Sequence, residues 1–234
     1  MFNITISFQK QNQMIANKLK IDIVSDIVCP WCVIGYKKLS IAMQDLKNEA
    51  KFDIHWKAYQ LHPEIPKEGF DKEEYMKIKF GESGGSRSRF DFITEEGKKV
   101  GIEFNFNKTK NLPNTFLAHR LLWFSKSKGI QDVMAEALFE AYFSEGRDVG
   151  SMKELISISN EKGLNKDEIK DFLKSDIGSR EVSRQELRAR EMNIFSIPTY
   201  IINKKYSLVG GQEPDTFKAY IRKVIEVEST HNQL

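Results

Sequence analysis

Asp26-Ile27-Val28-Cys29-Pro30-Trp31-Cys32 contains the only two cysteines among 234 residues, three positions apart. Upstream, Leu19-Lys20-Ile21-Asp22-Ile23-Val24 alternates apolar and charged side chains, the period of a short buried strand. Downstream, Leu39, Ala42, Met43 and Leu46 recur at helical spacing. The cysteines therefore fall at a strand-to-helix junction. Pro30 suits the first helical turn, where an N–H has no intrahelical partner to lose. Unpaired N–H groups at a helix start carry partial positive charge and favour a thiolate over a thiol. Cys29, the more exposed of the two, is expected to be the nucleophile. Cys32, one turn further in, is expected to be the buried resolving thiol that breaks a mixed disulfide. Half a zinc site and two unrelated core cysteines are the competing readings. Zinc needs four ligands, and the sequence has no second cysteine pair or nearby histidine cluster to complete them.

Beyond the first helix, Phe52, Ile54, Trp56 and Ala58 alternate with polar positions and read as a half-buried strand that completes a βαβ unit. Gln60 to Phe70, with two prolines and a glycine, leaves the sheet as a loop. From about Asp71 to Asn193 the pattern is helical. Short helices are expected over 71–80 and 90–100, with a flexible loop, Gly81 to Ser88, between them as a mobile lid. Another opens at Pro113-Asn114-Thr115, and the strongest amphipathic period runs from Ile130 to Ser144. Ser151 with Glu154, and Asn165 with Glu168, have capping-box spacing, and a last helix of the block spans about Ser179 to Glu191. Ile197 to Asn203 and Tyr206 to Gly211 then read as a hairpin turning at Lys204-Lys205, followed by a helix from Pro214 to Val227. The order is β-α-β, a helical block, then β-β-α.

Four stretches carry a resemblance in the same order: DIVCPWCVIG (26–35), NTFLAHRLLWFSKSKG (114–129), LFEAYFSEG (138–146) and SIPTYIINKKYSLVGGQEP (196–214). Together they resemble the FrnE-like branch of the DsbA-type thioredoxin-fold oxidoreductases. The implied fold class is α/β, a thioredoxin-like fold with a large helical insertion between its βαβ and ββα halves. The expected division is a loosely ordered leader, 1–17, a discontinuous thioredoxin-like domain, 18–62 and 192–234, and an inserted helical domain, 63–191.

The resemblance implies thiol–disulfide exchange with protein or peptide substrates, with Cys29 and Cys32 catalytic. It places Pro198 in a cis peptide bond opposite the cysteines, leaving the Ile197 backbone free to pair with a substrate chain. An ordinary strand-initial proline is the plainer reading of Pro198. Pro30 and an exposed Trp31 would complete the substrate platform. Asp26 has two readings, a proton carrier for Cys32 or a turn and cap residue. His119, beside Arg120, either lines the cleft below the cysteines or bonds a neighbouring backbone group. No charge lies between the cysteines, so a milder oxidant than DsbA is expected. The related kappa-class glutathione transferases and 2-hydroxychromene-2-carboxylate isomerases offer a second reading. They typically carry serine where Cys29 stands and do not need Cys32, but they admit glutathione as a co-substrate. A redox-sensing or partner-binding module is a third.

Composition narrows the rest. A 40 % hydrophobic and 29 % charged chain of net charge +3 has no dense basic stripe, so neither nucleic acid nor a membrane is an expected partner. No cofactor or metal is expected beyond a Cys29–Cys32 disulfide. Met1 to Lys20 lacks the charged start and apolar core of a secretory signal, so a cytoplasmic location is expected, where a disulfide is catalytic or sensing. Either a monomer or a homodimer is compatible with the sequence.

Overall fold

The computed structural model describes residues 17–81 and 87–231. The expected leader, apart from Asn17, and the centre of the glycine-rich loop lie outside the described residues. β1 (Asn17–Ser25) leads to α1 (Pro30–Asp45), and β2 (Ala50–Ala58) returns parallel to β1 in the register Ile21↔Ile54 and Ile23↔Trp56. β3 (Phe70–Asp71) and β4 (Asn111–Leu112) form a small antiparallel pair of their own. The helices between are α2 (Lys72–Phe80) and α3 (Arg87–Lys98). After β4 come α4 (Phe116–Ser127), α5 (Gln131–Glu140), α6 (Met152–Glu161), α7 (Lys166–Lys174) and α8 (Ser179–Glu191). β5 (Thr199–Ile202), β6 (Tyr206–Val209) and α9 (Pro214–His231) close the chain. The main sheet has the order β2-β1-β5-β6, with β5 antiparallel to β1 and β6 antiparallel to β5. This is the thioredoxin-like order, interrupted by helices.

Alternation decides which side of the sheet is packed. Leu19, Ile21 and Ile23 of β1, Trp56 of β2, and Tyr200 and Ile202 of β5 join one core with Leu39 and Ala42 of α1 and Phe217 and Ile221 of α9. The same cluster runs on without a break into Leu121 of α4, Met134 and Leu138 of α5, Leu155 of α6 and Ile169 of α7. A smaller cluster, Val24, Tyr59, Ala189, Ile194 and Ile201, lies on the opposite face under α8. Among the described residues no helix is long and apolar enough to cross a membrane.

Two local expectations change. The helix expected from Ile130 to Ser144 stops being α-helical at Glu140 and finishes in a π turn, Ala141–Glu145, that ends on left-handed Gly146. The carbonyls freed there are taken up by the preceding loop: Phe143 O accepts from Asn105 N–H (2.8 Å), Tyr142 O from Thr109 Oγ1 (3.2 Å) and Ser144 O from Asn105 Nδ2 (2.9 Å). Period alone cannot show such a turn, because its apolar positions continue the stripe. The capping box at Ser151 does not form. Ser151 makes no side-chain cap, and Glu154 is drawn away to Arg147 at 2.8 Å. Asn165 does cap, accepting from Asp167 and Glu168 N–H, both at 2.9 Å.

Candidate active site

α1 starts with Cys29 as its N-cap and Pro30 in its first turn, with no side chain capping the end. Cys29 N–H donates to Asp26 O (3.1 Å) and Cys32 N–H to Cys29 O (3.0 Å), so the motif is wound into the first turn. Both thiols are free. Cys29 is 5 % exposed and Cys32 fully buried, the order expected of nucleophile and resolving thiol. Burial pushes the Cys32 thiol well above the ordinary thiol range, reinforced by its contact with Cys29 and by the Asp26 charge, while a backbone hydrogen bond from Asp26 works the other way.

The Ile197–Pro198 peptide is cis. Pro198 O accepts from Gly210 N–H at 2.8 Å, and the Ile197 N–H and C=O have no hydrogen-bond partner among the described residues. This loop meets α1 at Gly35. A Cβ built on Gly35 would collide with the Tyr200 hydroxyl and come within 3.0 Å of Gly211 Cα and 3.2 Å of Pro198 Cγ. Gly35 thus lets the cysteine helix, the cis-Pro198 loop and the Gly210-Gly211 turn converge. Trp31 is half-buried, not exposed as expected: its ring packs on Phe92 of α3 at 5.9 Å and beside Gly211.

Asp26 and His119 come together where their separate readings had left them apart. The two side chains are each 1 % exposed, with Asp26 Oδ1 3.3 Å from His119 Nε2. Asp26 Oδ2 accepts from Leu61 N–H at 2.7 Å. The carboxylate therefore caps no helix; only its backbone carbonyl serves the turn before α1. His119 is buried and so lines no open cleft; among the described residues neither ring nitrogen has a hydrogen-bond partner, so it bonds no neighbouring backbone, and Nε2 faces Asp26. Glu186 of α8 borders this pair. Burial and the Asp26 charge push its carboxyl up, while His119 and the Gln60 N–H at 3.1 Å pull it down.

Tyr200 is the site residue that the sequence did not single out. Its hydroxyl is buried, has no hydrogen-bond partner among the described residues, and is held well above the ordinary tyrosine range by burial and then by Cys32 and Cys29. The one local signal nearby was Gly35 itself, a glycine inside a helix, which often marks a close approach. Among the described residues no cluster of His, Cys, Asp and Glu has the makings of a metal site.

The DSBA-like thioredoxin domain profile matches residues 20–222. The chain belongs to that family. Several solved structures share its fold over most of the chain. The probable DsbA oxidoreductase SCO1869 of Streptomyces coelicolor superposes with a TM-score of 0.79 at 21 % identity, covering 86 % of this chain and 87 % of that one. A 2-hydroxychromene-2-carboxylate isomerase (HCCA isomerase) gives a TM-score of 0.66 at 18 % identity, over 90 % and 98 % of the two chains. The cytosolic disulfide reductase DsbM of Pseudomonas aeruginosa, solved with GSH, gives 0.63 at 14 % identity, over 88 % and 99 %. At these identities the likenesses show the fold.

Proposed function

We propose that the protein exchanges disulfides with protein or peptide substrates through Cys29 and Cys32. The observation that carries this reading is the pair's placement: a more exposed and a fully buried thiol at the start of α1, the helix that meets at Gly35 a cis-Pro198 loop whose Ile197 backbone is unpaired among the described residues. In the oxidising direction a substrate thiolate attacks Cys29 Sγ of the disulfide, and Cys32 leaves as a thiolate and takes up a proton. A second substrate thiolate then attacks the mixed disulfide, and Cys29 is released. The substrate loses two electrons and the Cys29–Cys32 pair gains them. The reducing direction runs these steps backwards.

Cys32 changes protonation in either direction, and its burial favours the neutral thiol. The Asp26–His119 pair supplies a buried acid–base couple behind it to exchange that proton, with Glu186 as the next ionisable group outward. Asp26 is thus a proton carrier in this reading and His119 its positioning partner. Pro30, Trp31, Ile197 and Pro198 form the substrate platform. In a cytoplasmic setting the potential of the Cys29–Cys32 couple against the glutathione pool sets its resting state, and the GSH in the DsbM structure supports glutathione as an exchange partner.

Equilibration in a series of glutathione redox buffers tests the reading. A single two-electron transition between dithiol and disulfide is expected, and Cys32→Ser should accumulate a mixed disulfide on Cys29. Glutathione binding with no Cys29–Cys32 disulfide, and full activity in Cys32→Ser, would transfer the assignment to glutathione-dependent isomerase or transferase chemistry. The HCCA isomerase likeness keeps that reading in view at the level of fold, while two thiols at the helix start favour exchange.

A further inference from the structure

The face of the sheet turned away from α1 carries charge on a central strand. Alternation along β1 puts Lys20, Asp22 and Val24 there, and the registers add Lys57 opposite Val24 and Ile201 opposite Asp22. α8 lies over part of this face, tied to β2 where Gln185 Oε1 accepts from Ala58 N–H at 3.0 Å. Between the helix and the strands remains a cleft of about 940 Å³, within the size range of small-molecule sites. Val24, Ile194 and Ile201 give it a buried apolar floor, and Trp123, Leu187 and Met192 extend the apolar wall.

The charges around that floor do not balance. Five cationic side chains line the cleft (Lys20, Lys57, Arg184, Arg188 and Lys204) against the carboxylates of Asp22, Glu181 and Glu191. Asp22 is shared between Lys20 at 3.6 Å and Lys57 at 3.5 Å. Arg184 reaches Glu181 only at 3.8 Å along α8, and Arg188 and Lys204 have no ion pair among the described residues. Burial, offset in part by Asp22, holds the Lys57 ammonium below the usual lysine range, and Lys126 and Lys20 add like charge. A cationic rim over an apolar floor complements an anion carried on an apolar body.

We propose that the cleft between α8 and the far face of the sheet binds a small amphipathic anion, a carboxylate, sulfonate or phosphate borne on an aromatic or aliphatic body. The site is separate from Cys29 and Cys32 and does not depend on the reaction proposed for them. Its floor is continuous with Ile197, which packs on the same Val24, Ile194 and Ile201 cluster. The cleft is therefore one packing layer from the cis-Pro198 loop.

The test uses the whole folded protein and two fluorescent probes with the same rings, 8-anilinonaphthalene-1-sulfonate and uncharged N-phenyl-1-naphthylamine. Saturable binding of the sulfonate is expected, with the neutral probe weaker by about tenfold or more. Arg184→Ala with Arg188→Ala should raise the sulfonate Kd by about tenfold. Both are exposed positions on α8, so the helix persists, and Lys57→Gln provides an independent variant on the sheet side. Exchange of the dithiol with oxidised glutathione should be unchanged in the arginine variant, which separates failure of this site from failure of the redox reading. Equal binding of the two probes, a sulfonate Kd unmoved by every charge removal, or no saturable binding at all would overturn the proposal.

Discussion

At Gly35 a single missing methyl group sets how closely the cysteine helix approaches the cis-Pro198 loop. Gly35→Ala should cost about 1–3 kcal/mol, the usual penalty for overpacking a filled site. The first group a new Cβ meets is the Tyr200 hydroxyl. That hydroxyl has no partner, so Tyr200→Phe alone should change stability by less than about 1 kcal/mol in either direction. The two substitutions share a contact and should therefore be non-additive, with Gly35→Ala costing less in the Tyr200→Phe background. Gly211 and Pro198 still crowd the site, so the rescue should be partial; urea unfolding of the four proteins in the cycle measures it. Cys32 gives the second residue-scale expectation. Its thiol is pushed up on folding, so the folded protein holds a proton that the unfolded chain has released above the ordinary thiol range. The stability this represents is complete below that range and is lost as pH rises, by up to about 1.4 kcal/mol per pH unit until the raised folded value is reached. Thermal unfolding of the dithiol form should fall more steeply with alkaline pH than that of Cys32→Ala. Parallel slopes would show that the buried thiol is not the source.

Helix ends show how far the sequence could be read. The order of strands and helices, the α8 span and the Asn165 cap follow from period and local cap chemistry, which act over a few residues. The π turn at Ala141–Glu145 and the β3–β4 pair do not, because each is settled by a partner distant in sequence, and Glu154 does not, because Arg147, seven residues before it and outside the helix, competes with the cap. The site divides the same way. Cys29, Cys32 and Pro198 stand out by residue type and position, whereas the pairing of Asp26 with His119 and the approach of Tyr200 exist only once α4 and β5 are packed. Arg120, next to His119, is the sharpest case at the scale of elements. Buried in α4, it donates from Nε, Nη1 and Nη2 to the carbonyls of Phe172, Leu173, Ser175 and Ile177 at 2.5–3.3 Å, and lies over the Phe172 ring at 5.1 Å. Phe172 and Leu173 belong to the last turn of α7, where Phe172 O also accepts from the Ser175 N–H and hydroxyl, and Ser175 and Ile177 lie in the turn that follows, so one guanidinium gathers the whole helix end. Arg120→Met should cost about 3 kcal/mol or more, since several carbonyls at the end of α7 lose a charged donor together. Lysine should restore little, lacking the planar fork. Chemical denaturation gives the loss, and a change of less than about 1 kcal/mol would mean the clasp contributes nothing net.

Over the whole molecule, the helical block is joined to the sheet by one continuous core and by one buried cation. Lys38 of α1 is 2 % exposed. Its Nζ donates to Glu96 of α3 at 2.9 Å and to Glu213, just before α9, at 2.5 Å. Three segments remote in sequence thus meet at one ammonium: the cysteine helix, the insertion, and the turn whose Gly211 packs beside Trp31. The partners raise the Lys38 pKa against the opposing effect of burial, so the charge is retained. Removing the cation alone leaves Glu96 shielded with only Lys99 as a partner, while exposed Glu213 can turn to water. Lys38→Met should therefore destabilise the protein by about 3 kcal/mol, the scale of breaking one partner from a buried pair. Replacing both shielded members, Lys38→Met with Glu96→Leu, should recover most of that loss, because an apolar pair of similar volume needs no compensating charge. If the double variant instead recovers nothing and stays as unstable as Lys38→Met alone, the charged cluster itself, and not the volume it fills, holds α1, α3 and the Gly211 turn together. Accessibility of Trp31 to acrylamide, read in a background with Trp56 and Trp123 replaced by Phe, should then rise with the loss of Lys38. The platform beside Cys29 would in that case be set by a salt bridge, and not by the hydrophobic core beneath it.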